Sequence, residues 1–159
     1  MLVALSAIAS EQAAPTEKTM KKTKQFLDYV ASHPDAVLTF SASNMVINVH
    51  SDASYLTEIK AQSRAGGHFF LSDNSKDPTD NRAVLNVAQI IKNVMSSAEQ
   101  AELGALFINS RQAIPARKTI EELGHQQPST PIQTNNTTAL GFVSKNLQPK
   151  VTKSVDMRY

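Results

Sequence analysis

The sequence predicts an α/β domain built on one mixed sheet, and three observations carry that expectation. Met45 to Asp52 alternates, with Met45, Ile47 and Val49 on one side and Val46, Asn48, His50 and Asp52 on the other, as a strand with two distinct faces does. Two more β-rich stretches follow after short polar links, and short links join strands antiparallel. A helical region then precedes a last short apolar run, and a crossover through helices returns a strand parallel to an earlier one.

Taken in order, Leu2 to Ala13 reads as a helix ending before Ala14-Pro15. Thr16 is a good N-cap for a second helix reaching about Ser32, with Met20, Thr23, Leu27, Val30 and Ala31 on its inner side. Lys18, Lys21, Lys22 and Lys24 crowd its first turns, a pattern that most often marks a solvated face. His33-Pro34-Asp35 breaks the helix, and Ala36 to Phe40 is expected as a short strand.

The Asp52 strand comes next, then a polar link with Lys60, Ser63 and Arg64, and then Ala65 to Ser72 as a second strand. Gly66-Gly67 at its start predicts a bulge or a close approach of another backbone. Asp73 to Asn81 is a turn-rich loop by composition, and Ala83 to Val94, aliphatic and β-branched, is the third strand. Ser96 with Glu99 three residues on is a capping-box start. Pro115 is expected to end that helix, with a further one over Ala116 to Leu123 closed by Gly124. Pro131 to Thr134 is the short parallel strand, and a last helix runs from about Thr138 to Lys145.

Two acids stand out against this frame. Ala98, Ala101, Ala105 and Leu106 form an apolar stripe on the Ser96 helix, and Glu102 lies inside it. A carboxylate taken out of water needs a cation, a metal or a proton; otherwise it sits at the stripe's edge and reaches solvent. Asp52 falls near the C-terminal end of its strand, where an isolated aspartate most often caps a turn. An acid at a strand end and one on the inner face of a helix packed on that sheet can share a divalent ion. The expectation is that these two converge.

Composition bounds the rest. The 159 residues, 41% hydrophobic and 19% charged, describe a folded chain long enough for one domain with a core, or a domain and a fragment. Having no cysteine excludes a disulfide scaffold, a thiolate metal site and a cysteine nucleophile. A net charge of +2 permits a polyanionic partner without requiring one. MLVALSAIAS lacks a basic start and is too short to span a bilayer, so it reads as the edge of something larger, and no membrane partner is expected. The four histidines, at 33, 50, 68 and 125, show no ligand spacing. His50 shares the Asp52 face, but a lone strand histidine is more often packed than catalytic. Ser51 and Ser54 lack a nucleophile-elbow setting, and Gly66-Gly67 has no lysine at phosphate-loop spacing.

Five local words then point further: VHSDASY, SRAGGHFFLS, SSAEQAELGAL, PIQTNNTTALG and KSVDMRY. In this order they resemble the RNase H domain that ends the polyprotein of copia-type LTR retrotransposons. EQAAPTEKTMKKTKQFLDYV resembles the last helices of the reverse transcriptase before it. The resemblance implies residues 1–35 as a remnant of the reverse transcriptase and 36–159 as an RNase H-like domain lacking its last strand and helix. It matches Asp52 to the first catalytic aspartate and Glu102 to the catalytic glutamate.

In that family such acids hold two Mg2+ ions that act in hydrolysing the RNA strand of an RNA:DNA hybrid. Asn135 stands where the family motif has its third acid, and the last acid belongs to elements beyond Tyr159, so a weak or inactive site is implied. The alternative is a catalytically dead nucleic-acid-binding or structural fragment. Asp156 matches a position on a connecting helix of that family and reads as a surface or hydrogen-bonding acid, not as the missing ligand. Lys60, Arg64 and Lys145 are candidate backbone contacts to nucleic acid. The expected partners are an RNA:DNA hybrid and the rest of the reverse transcriptase, in an intracellular setting, a cytoplasmic particle or the nucleus.

Overall fold

The computed structural model describes residues 1–58 and 60–144, which divide into two compact units, Met1–Thr39 and Phe40 onward. In the first unit, α1 (Leu2–Ser10) and α2 (Glu17–Ala31) form a helical pair. Thr16 caps α2 as expected, exchanging hydrogen bonds with Thr19. Glu11 accepts from the Thr19 hydroxyl and the Lys22 ammonium, both at 2.6 Å, and these bonds hold its carboxyl below the usual range. The inner face of α2 is therefore Thr19, Lys22 and Thr23 with Phe26, whereas Met20, Leu27 and Val30 are exposed. No hydrophobic side chain of this unit is fully buried; Ile8 and Phe26 are half-buried, and the Glu11 bonds to Thr19 and Lys22 link the end of α1 to α2. Among the described residues no helix is long and apolar enough to cross a membrane.

The second unit is α/β with one open mixed sheet. Its strands are β1 (Val46–Ser54), β2 (Ser63–Ser72), β3 (Ala83–Ile91) and β4 (Ile132–Thr134), in the spatial order β3-β2-β1-β4. β1, β2 and β3 pair antiparallel, and β4 lies parallel to β1 over Val49 to Ser51, the arrangement the short links and the helical crossover predict. Ala36 to Phe40 forms no strand. Val37, Leu38 and Phe40 are exposed, and β-branched residues hold an extended strand only where a sheet offers partners.

A single helix, α3 (Ala98–Glu122), crosses β1 and β2, and α4 (Thr137–Val143) packs on α3 and β4. The expected break at Pro115 does not occur. Ala113 is buried and Ala116 packs on Ile47, Val49 and Phe69, so both sides of the proline are held on the sheet while one backbone bond is lost. The cap is Ser97, one residue beyond the one expected, and the Ser96 amide and hydroxyl donate to Gln100 instead.

The core between α3 and the sheet has two parts. Ala65, Ile91, Met95, Ala101 and Ala105 form one, with Ala53 against it; Ile47, Val49, Phe69 and Ala113 form the other. On the opposite face, Phe70 is fully buried with the His50 ring edge-on to it, and the loop after β2 is tied down there by Asn81, which bonds Leu71 and Ser41. β4 covers only the middle of the β1 edge. Gln127 extends the coverage, its side-chain amide accepting from the Ile47 amide and donating to the Met45 carbonyl as a strand residue would.

Candidate functional site

The parallel ladder stops at Ser51 opposite Thr134, so Asp52 and Ala53 run past the end of β4. Site residues gather at that step, beyond the C-terminal ends of two parallel strands, where open α/β sheets commonly leave a crevice. An open cleft of about 410 Å³ there is lined by His50, Ser51, Asp52, Gln133, Thr134 and Asn135. Asp52 is exposed on it. Asn135 lies just past β4 and lines the same cleft.

Glu102 arrives from the other side, on the second turn of α3. It belongs to the buried stripe, with Ala101, Gly104, Ala105 and Leu106, and is only 8% exposed. Its carboxyl accepts from the Ala53 backbone amide and stands against Asp52. Oε2 is buried with no hydrogen-bond partner. Burial first, and then the Asp52 carboxylate beside it, push Glu102 up to about 7, against the lowering effect of the Ala53 amide. The two acids that the sequence singled out therefore meet, in an arrangement that binds a proton or a cation more readily than it tolerates two bare charges.

Carboxylate oxygens are hard donors of the kind magnesium takes, and Oε2 of Glu102 is buried without a hydrogen-bond partner beside Asp52. Among the described residues no set of three His, Cys, Asp or Glu side chains surrounds a common point, so the site holds one negative charge fewer than a three-acid site. His50 lines the cleft but packs on Phe70, with its Nε2 3.6 Å from the Asp80 carboxylate, and is half-buried.

The candidate nucleic-acid contacts divide three ways. Lys60 is exposed in the β1–β2 loop, with a left-handed backbone, φ 64°. Arg64 is a correction: it is buried, its Nε donates to Glu58 at 2.6 Å, and Nη1 donates to the Ala88 carbonyl at 3.1 Å. That guanidinium ties the hairpin together and is not presented to a phosphate. Lys145 and Asp156 lie outside the described residues.

Asn109 was missed by the sequence reading. It is fully buried on α3, two turns after Glu102, and its Nδ2 donates to the Ser51 hydroxyl and the Gly66 carbonyl, both at 2.8 Å. The signals were present separately, as a polar residue at helical spacing from Glu102 and as glycines predicting a close approach. A Cβ on Gly67 would clash with Asn109 Oδ1, whereas the β2–β3 register shifts further along, at Phe69/Phe70, where Val84 of β3 is the extra residue. Compared with models of known protein families, with curated proteins and with solved structures, the chain matches none.

Proposed function

We propose that the second unit is an RNase H-like domain of a copia-type retroelement polyprotein, whose ancestral reaction is hydrolysis of the RNA strand in an RNA:DNA hybrid. The observation that carries this reading is the meeting of Asp52 and Glu102 at the end of β1, with Asn135 lining the cleft onto which Asp52 opens. Asp52 and Glu102 would hold Mg2+, with the Asn135 amide oxygen as a neutral third donor. Magnesium, when bound, supplies an activated water and neutralises charge on the leaving oxygen. The chain's own contribution is to aim the two carboxylates. The Ala53 amide orients Glu102, and the rigid strand presents Asp52 to solvent.

The shortage of charge favours a weak site over an efficient one. A third acid replaced by an amide lowers attraction for a dication, and the proton that Glu102 keeps near neutrality must leave before metal can bind. The second reading, a binding or structural remnant without activity, draws on that same shortage. Cleavage of a labelled RNA:DNA hybrid with Mg2+ or Mn2+ separates the two. Slow cleavage by the chain, lost in Glu102→Gln and raised in Asn135→Asp, supports the nuclease reading. Hybrid binding at low salt without cleavage in any of the three supports the remnant, and an absence of both ends the proposal.

A further inference from the structure

The interface between α3 and the sheet is largely apolar on either side of Asn109, apart from the Glu102 carboxyl near the start of the helix, and it is polar at Asn109. Along the inward face of β1 the order is Ile47, Val49, Ser51, Ala53; along β2 it is Phe69, Gly67, Ala65. Ser51 pairs directly with Gly67, so the polar position of β1 and the side-chain-free position of β2 coincide, and Asn109 descends on both. On one side of this seam lie Ala53, Ala65, Ala101 and Ala105, and on the other Ile47, Val49, Phe69 and Ala113. Small and aliphatic contacts of this kind would by themselves let a helix slide at little cost, and the Glu102 bond to the Ala53 amide lies near one end of the helix only. Hydrogen bonds to two strands are satisfied at one register only.

The chemistry of the seam fixes how the amide is oriented. Nδ2 supplies both protons, one to the Ser51 hydroxyl and one to the Gly66 carbonyl, while Oδ1 is buried against Gly67 without a partner. Turning the amide over would set its oxygen against the Gly66 carbonyl, two acceptors facing each other. Gly66 is the cross-strand partner of Asp52, and Ser51 is its chain neighbour. From the helix that carries Glu102, Asn109 thus bonds the Ser51 hydroxyl, just before Asp52 in β1, and the Gly66 carbonyl, across from Asp52 in β2.

We propose that Asn109 is a positioning residue: lodged in the notch at Gly67 and bonded to β1 and β2 at once, it sets the register of α3 on the sheet and so holds Glu102 against Asp52. This rests on the reading of Asp52 and Glu102 as the working pair, and it concerns their geometry whether or not the site cleaves anything. Outer residues that orient ligands typically change metal affinity tenfold or more when removed.

The test uses the full chain and compares Asn109→Ala, Ser51→Ala and the double variant Asn109→Ala/Gly67→Ala, in which the new methyl refills the notch without restoring a hydrogen bond. Two quantities are read: the amide resonance of Ala53, which reports its bond to Glu102, and Mn2+ affinity by electron paramagnetic resonance. Positioning predicts that the Ala53 amide proton moves upfield in all three, least in Ser51→Ala. It also predicts that Mn2+ affinity in the double variant stays about tenfold or more below that of the parent chain while its melting temperature recovers towards that of the parent. An Ala53 resonance unmoved in both Ser51→Ala and the double variant overturns the proposal and leaves Asn109 as filling. A parent chain that binds no Mn2+ removes the cation reading, and the Ala53 resonance then decides the role of Asn109 by itself.

Discussion

Glu58, in the β1–β2 loop, and Glu102, on α3, are two glutamates held against the same sheet in opposite states. Glu58 receives the Arg64 guanidinium at 2.6 Å, and that bond keeps its carboxyl below the ordinary range. Glu102 meets Asp52 in place of a cation and is pushed up to about 7. The first pair is complete within the chain and serves the hairpin. The second is incomplete, and an acid set against an acid in a buried place calls for a proton or a metal ion from outside.

The largest effect should come from breaking the complete pair. Glu58→Ala takes the counter-charge from the buried Arg64 guanidinium, which keeps its bond to the Ala88 carbonyl, and is expected to cost about 3 kcal/mol in denaturant unfolding, as removal of one partner from a buried pair does. A loss below about 1 kcal/mol would place this pair with the exposed ones.

Glu102→Gln should act in the other direction. Because the folded state holds the Glu102 proton up to about 7, it binds more protons than the unfolded chain between the ordinary glutamate range and neutrality, and stability falls as pH rises through that window. In metal-free buffer at pH 8 the substitution should therefore stabilise by up to about 3 kcal/mol, fading to little below about pH 4.5. Urea unfolding of both chains at the two pH values checks this. Destabilisation at pH 8 would mean that Glu102 is already satisfied.

Asn135→Asp restores a charge to the cleft and should tighten Mn2+ binding about tenfold, consistent with a single added carboxylate ligand, as read by paramagnetic line broadening. An unchanged affinity would place Asn135 outside the coordination sphere.

Much of this site was legible in the residues, and the parts that were not share a cause. The β1 alternation fixed which residues share Asp52's face, and the alanine stripe of α3 fixed that Glu102 faces inward, because both signals are periodic and local. Pro115 misled because a lost backbone bond is a local cost, while the packing of Ala113 and Ala116 that outweighs it is tertiary. Ala36 to Phe40 misled for the same reason: its composition favours a strand, but a strand forms only with partners, and Val37, Leu38 and Phe40 stay exposed. Arg64 looked like any basic loop residue until Glu58, six positions earlier, folded back onto it. Asn109 could be found only once Ser51, Gly66 and Gly67 were known to lie beneath it.

The central claim is that Asp52 and Glu102 form one cation site, and a Mg2+ titration of the carboxyl-labelled chain followed by carbon NMR tests it most directly. The two side-chain carboxyl resonances should move together with a single midpoint, about tenfold tighter at pH 8 than at pH 6 because Glu102 must give up its proton first. Movement of one resonance without the other, or a midpoint indifferent to pH, would contradict it.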